Sequence, residues 1–294
     1  MYKTENFAPT GFRQGADPRG SSANEEAFLF ADWERVVFLH FAVDPATLLR
    51  YVPVPLELEL YENIAWVTLV ALTMRSFRPC RRGSPTAWLF RTIASQRFLN
   101  VRTYARRGDE PGALFLRGWL SQPFRVPLPG GLFGLPYEFA SLEYRHQPEA
   151  GELRGVATVP AITGTDRLKP GLQTVERLLY RARVEPQKAY LPCGSGTLAQ
   201  FALERYTGWF PRKNQLYVFR AWHPPWVQAS IDVTIEDDSL LTTRFPWFKQ
   251  ARLVAAHYAP GFAGVQLGKS DRVGKFSRRC RASRSVLSGF YEMP

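Results

Sequence analysis

The stretch SQRFLNVRTYARR, from Ser95 to Arg107, decides the fold. Its side chains alternate: Leu99, Val101, Thr103 and Ala105 fall on one face of an extended chain, and Phe98, Asn100, Arg102 and Tyr104 on the other. GDEPG at 108–112 supplies a turn, and ALFLRGWLS at 113–121 returns as an antiparallel partner, so a hairpin is expected.

Working outward, WERVVFLHFAV (33–43) is rich in β-branched and aromatic residues and reads as a strand. DPATLLRYVP follows as a short helix with Asp44 as its cap and Pro45 at its first position, ended by Pro53 and Pro55. LELELYENIAWVTLVALTMRSF (56–77) reads as two strands joined at Glu62-Asn63, the second apolar on both faces and therefore central. On the other side, LPGGLFGLPYEFASLEYRH (128–146) runs through glycines and prolines into Tyr137 and Glu138. FASLEYRH and ELRGVATV then form another hairpin about QPEAG. SGTLAQFALERY (195–206) is helical, with Ser195 or Thr197 as N-cap, and QLYVFRAWHPPW, QASIDVTI and ARLVAAHY add strands. There is no βαβ alternation and no internal repeat. The expected class is α+β, mainly antiparallel β: a curled sheet or closed barrel with few helices. One domain is expected over 28–268, with a disordered lead at 1–27 and a basic, flexible tail at 269–294.

Composition narrows the function. A 45% hydrophobic chain of 294 residues can bury a sizeable core, and no run of eighteen apolar residues suggests a membrane helix. The first residues show no apolar signal segment, and Cys80, Cys193 and Cys280 are scattered, so a reducing, cytoplasmic setting is expected. The net charge is +12, of which +5 falls within 269–294. A solvated tail explains that better than a nucleic-acid surface. Lysine is scarce, and none lies between positions 4 and 168.

Several residues carry chemistry. Asn100, Arg102 and Tyr104 share one strand face; lining a cavity, Arg102 would clamp a carboxylate or phosphate while its neighbours direct hydrogen bonds. Glu138, beside Tyr137 and flanked by Leu135 and Phe139, reads either as an exposed loop carboxylate or as a partly buried acid/base. Glu204, Arg205 and Tyr206 close the helix, and a Glu–Arg pair anchoring it to the sheet is expected. WHPPW (222–226) is rigid; His223 and Trp226 are read as packed structural residues, because the four histidines lack ligand spacing. No metal and no cofactor is called for.

VVFLHFAVDP, AWVTLVALTMR, FLNVRTYARRGDEPGALFL, FGLPYEFASLEYRH, FALERYTG and WHPPW, in that order, resemble the YqjF-like proteins of domain of unknown function 2071. The resemblance spans about residues 30–268 and implies an acetoacetate decarboxylase-like superfamily fold, a mostly antiparallel sheet curled around an internal cavity. Acetoacetate decarboxylase itself carries a P-K-K motif whose first lysine forms a Schiff base with the keto acid. This sequence reads Pro136-Tyr137-Glu138 in its place, so tyrosine stands where the nucleophile would be. Schiff-base decarboxylation is therefore not expected.

Three functional readings follow. The first is a small-molecule pocket, with or without catalysis. Arg102 would hold an anionic metabolite, Asn100 and Tyr104 would orient it, and Tyr137 and Glu138 would face its reactive end. The second is a non-catalytic scaffold in which Arg102 is neutralised by Glu138 or Glu204. The third, the weakest, is nucleic-acid contact through the basic tail. Whether the chain self-associates is left open.

Overall fold

The computed structural model describes residues 27–79, 95–122, 135, 137–160 and 175–275. The strands, in chain order, are β1 (Ala27–Val43), β2 (Glu57–Leu58), β3 (Leu60–Tyr61), β4 (Ile64–Pro79), β5 (Ser95–Arg107) and β6 (Glu110–Leu120). There follow β7 (Tyr137–Phe139), β8 (Ser141–Gln147), β9 (Glu152–Pro160), β10 (Val175–Arg183), β11 (Leu191–Pro192) and β12 (Thr207–Arg212). The last are β13 (Gln215–Trp222), β14 (Val227–Ser230), β15 (Asp232–Asp237), β16 (Arg252–Gly268) and β17 (Asp271–Lys275). Among the described residues three short α-helices interrupt them: α1 (Pro45–Leu49), α2 (Leu198–Leu203) and α3 (Ser239–Arg244).

The main sheet runs β11-β14-β16-β1-β4-β5-β6-β12-β13-β17, and β13 also pairs with β16 at Ala221↔Leu267 and Trp222↔Gln266. It is therefore a curled sheet whose far strand returns to its near side. Pairing is antiparallel except where β6 meets β7 and β12. The hairpin read from residues 95–121 is present: β5 pairs β6 from Phe98↔Leu120 to Arg107↔Glu110. Asp44 caps α1 by accepting from the Thr47 amide at 2.8 Å, and Thr197 caps α2. Glu62 and Asn63 take positive φ values of 53° and 61°, as a tight hairpin turn demands.

Alternation along the central strands feeds two cores. Val37, Leu39, Phe41, Val67, Leu69, Leu99 and Val101 face outward onto a second, four-stranded sheet, β15-β10-β9-β8, and meet its Leu142, Leu153, Leu178 and Tyr180. Phe38, Trp66, Val70, Leu72, Phe98 and Tyr104 face inward, where α2 delivers Phe201, Ala202 and Leu203 into the curl. Both faces of the sheet are covered, which explains the continuous apolar run of β4.

Two expectations change. The strand-forming chain does not stop at Gly268, because β17 pairs β13 from Gln215↔Lys275 to Val218↔Asp271. The remainder of the expected tail and the expected lead up to residue 26 lie outside the described residues. The antiparallel strands also divide into two sheets instead of one.

Candidate active site

Inside the curl lies a cavity of about 60 Å³, room for roughly four to six waters or a ligand of like bulk. Val36, Phe38, Val70, Leu72, Met74 and Leu267 supply much of its apolar wall. Asn100 and Arg102 enter it from β5, Tyr137 from β7 and Trp33 from β1. No acidic residue and no lysine lines it among the described residues. Three polar atoms of these lining residues are buried without a hydrogen-bond partner among the described residues: Trp33 Nε1, Arg102 Nε and Asn100 Oδ1. Leaving such groups unpaired costs on the order of 1–3 kcal/mol each, so the protein carries two unmatched donors and one unmatched acceptor around one small space.

Tyr137 is positioned by a glycine. It pairs with Gly118 of β6, and a Cβ on Gly118 would lie 2.3 Å from Tyr137 Cε1. Only a bare backbone lets the ring lie there, edge-on to Phe98 at 5.3 Å. Burial pushes the Tyr137 hydroxyl well above the usual phenol range, against an opposing contribution from Asn100. It stays protonated and is a hydrogen-bond donor to this space at physiological pH.

Arg102 sits half-buried, its guanidinium 5.8 Å from the Phe38 ring centroid and 6.0 Å from that of Tyr104. It donates to the Ala202 carbonyl at 2.9 Å. Among the described residues no carboxylate pairs with it: Glu138 is bound to Arg117 and Arg244, and Glu204 accepts from the Tyr206 hydroxyl and the Trp226 amide. Neutralisation by Glu138 or Glu204 is therefore not what the structure shows.

Tyr104, expected beside Asn100 and Arg102 at the site, does not line the cavity, and its hydroxyl is engaged elsewhere. The hydroxyl reaches Thr68 Oγ1 at 2.5 Å, Thr68 reaches His40 Nδ1 at 2.9 Å, and His40 Nε2 reaches His257 Nδ1 at 2.9 Å. All four residues are buried. The chain is consistent when Tyr104 donates to Thr68, Thr68 to His40 and His40 to His257. In the opposite sense the Tyr104 proton finds no acceptor among the described residues. The Arg205 guanidinium also lies over the Tyr104 ring, 5.2 Å from its centroid.

Arg205 anchors α2, as its place after the helix suggests, but through a partner the sequence did not reveal. Its Nε donates to the Phe201 carbonyl and its Nη1 pairs with Glu59 at 2.7 Å. Glu204 is thus not the partner. His223 is packed among Tyr206, Phe262, Trp33 and Trp226. Burial first, and the Arg102 cation in addition, lower its pKa to about 4, so the ring is neutral.

Glu138 does not share the cavity. Neighbouring residues of a strand point to opposite faces, and Glu138 turns away from Tyr137 to pair with Arg117 at 3.0 Å. Its more distant contact is Arg244 at 3.9 Å, which itself holds Glu176 at 2.5 Å. The expectation that Glu138 faces a ligand beside Tyr137 is corrected by that geometry. Trp33 is the cavity residue that was missed. The backbone between Glu34 and Val37 bulges, with Arg35 at φ 52°, so Trp33 shares a face with Val36 and Phe38 despite odd spacing.

The curled, mainly antiparallel sheet is a fold shared with acetoacetate decarboxylase-like proteins of known structure. The fold is similar to acetoacetate decarboxylase from Legionella pneumophila, with a TM-score of 0.54 at 14% identity, covering 85% of this chain and 88% of that one. It is also similar to the enduracididine biosynthesis enzyme MppR complexed with pyruvate, at TM-score 0.52 and 17% identity over 92% and 99% of the two chains. Residues 31–263 match domain of unknown function 2071, described as an uncharacterized conserved protein, and the chain belongs to that family. It is 26% identical over 205 residues to the uncharacterized protein YqjF of Bacillus subtilis, covering 69% of this chain and 76% of that relative.

Proposed function

We propose that the protein binds a small carboxylate in the interior cavity, with Arg102 as the cationic clamp and Asn100, Tyr137 and Trp33 directing its polar atoms. The observation that carries this reading is the part-buried guanidinium of Arg102, which has no carboxylate partner among the described residues and an unpaired Nε beside a space of ligand size. A half-buried cation without a counter-ion is costly, and an incoming anion removes that cost through charge-assisted hydrogen bonds. A structural neighbour solved with pyruvate lends support by fold alone.

Schiff-base chemistry does not belong to this reading, because no lysine lines the cavity among the described residues. Glu138 also leaves the proposed machinery. Should the site catalyse a reaction, the neutral Tyr137 hydroxyl is the proton donor at hand. The scaffold reading is weakened by an Arg102 that has no carboxylate partner among the described residues, whereas the basic-tail reading rests mostly on residues outside those described.

The test is calorimetric titration of short carboxylates into wild type, Arg102→Met and Arg102→Lys. Loss of a charge-assisted pair weakens binding by roughly ten- to a hundredfold; lysine, lacking the planar fork, restores little of it. Equal affinity in all three proteins removes the clamp.

A further inference from the structure

The polar and apolar parts of the cavity wall belong to different strands. Asn100 and Tyr137 stand in one row across β5, β6 and β7, through Gly118, and Arg102 follows two residues along β5. From β1, β4 and β16 come Val36, Phe38, Val70, Leu72, Met74 and Leu267, all apolar, and the Trp33 indole, whose single polar atom is Nε1. Phe115 and Phe219 close another side, their ring centroids 5.5 Å apart. A ligand enclosed here meets one polar flank, and apolar side chains elsewhere.

The polar flank asks for little. Arg102 is its one charged side chain; no acid, lysine or second arginine lines the cavity among the described residues. The Tyr137 hydroxyl, a resident donor, interacts with the Asn100 side chain, and an amide both donates and accepts. These two are at hand for each other, so neither demands a polar group of the ligand beyond its carboxylate. A second charge on the ligand, carboxylate or ammonium, would be buried without a counter-ion. A hydrocarbon tail instead gains from leaving water, about three- to fourfold in affinity per methylene. The cavity of about 60 Å³ holds roughly the bulk of four to six waters, which is that of an acid of about three to five carbons.

We infer that the ligand is a short-chain monocarboxylic acid with an unbroken hydrocarbon tail, its carboxylate on Arg102 and its tail against the apolar side chains of β1, β4 and β16. The inference rests on the small-carboxylate reading above and narrows it to acids that carry one charge and no second polar end.

A chain-length series tests it: acetate, propionate, butyrate, valerate and octanoate, with succinate as the charged counterpart of butyrate, titrated into wild type and into Leu72→Ala. Affinity for wild type rises about three- to fourfold per methylene from acetate to valerate and falls at octanoate, which is too long for the space. Succinate binds about tenfold or more weakly than butyrate. Leu72→Ala, which enlarges the apolar side, moves the best acid one or two carbons longer. Affinity that is flat from acetate to valerate, or succinate as tight as butyrate, overturns the hydrocarbon-tail assignment and leaves the carboxylate clamp standing. Affinity still rising at octanoate, or an unchanged best acid in a folded Leu72→Ala protein, overturns the placing of the tail in this cavity. Binding of none of the acids overturns the clamp as well. The wild-type series decides the matter by itself if Leu72→Ala fails to fold.

Discussion

Two arginines approach one tyrosine ring inside this protein, and they are treated in opposite ways. Arg205 stacks on Phe201 at 4.4 Å and on Tyr104 at 5.2 Å, caps α2, and meets Glu59 at 2.7 Å with its side chain 1% exposed. Arg102 lies 6.0 Å from the same ring's centroid, donates to one backbone carbonyl and has no carboxylate partner among the described residues, and lines the cavity. Of the two cations, Arg102 is the one whose field reaches buried histidines. Arg102 depresses the pKa of both His40 and His223, after the larger effect of burial and, for His40, of His257. Arg205 acts on none of the buried histidines in this way. One guanidinium has been neutralised to hold a helix, and the other has been left charged towards a space. The same residue type near one ring thus meets a carboxylate in one case and, among the described residues, none in the other.

The largest effect should come from breaking the neutralised end. Arg205→Met strands Glu59, whose carboxyl pKa burial raises against the opposing effects of Arg205 and, after it, Arg106. Uncovering one member of a buried pair costs about 3–5 kcal/mol, and a capped helix end is lost besides. Chemical denaturation should show that loss, and adding Glu59→Leu should return much of it, since a buried pair replaced by apolar groups is often neutral. A double variant no more stable than Arg205→Met would mean that Glu59 is not its essential partner.

The cavity side can be disturbed without touching charge. Gly118→Ala sets a methyl carbon 2.3 Å from Tyr137 Cε1, so the ring or β7 must move. Such overpacking costs about 1–3 kcal/mol, and carboxylate affinity should fall with it because Tyr137 leaves its place. Unaltered affinity in a folded Gly118→Ala protein would remove Tyr137 from the binding set.

Much of this arrangement was legible from local sequence. Period-two alternation in 95–107 placed Asn100 and Arg102 on one face, and that face does line a cavity. What stayed hidden has identifiable causes. The bulge at Arg35 reverses the parity of β1, so Trp33 could not be assigned to the inner face by counting. Glu59 lies 146 residues from Arg205, a separation no local pattern spans. Tyr137 and Glu138 were grouped because the glycines and prolines before them read as loop. Once β7 is seen to be a strand, alternation alone separates the two. The second sheet also went unseen because β10, VERLLYRAR, alternates charged and apolar residues without a turn that names its partner.

The smallest expected effect tests the comparison most directly. If Arg102 carries an uncompensated charge, the ligand-free protein gains little from it, and Arg102→Met should be as stable as wild type or up to about 1 kcal/mol more stable. That is the opposite sign to Arg205→Met. His223 should report the same change by NMR titration. Its pKa of about 4 in the folded protein, against 6.5 unperturbed, favours the neutral ring. The stability this lends is full above pH 6.5 and is lost as pH falls towards 4. Removing the Arg102 cation takes away one cause of the depression, so His223 should titrate at higher pH in Arg102→Met and the acid-labile window should narrow. Bound carboxylate on wild type should move His223 in the same direction, because it neutralises the same charge. A His223 that titrates identically in all three states would show that Arg102 is already compensated, and the distinction between the two arginines would fall.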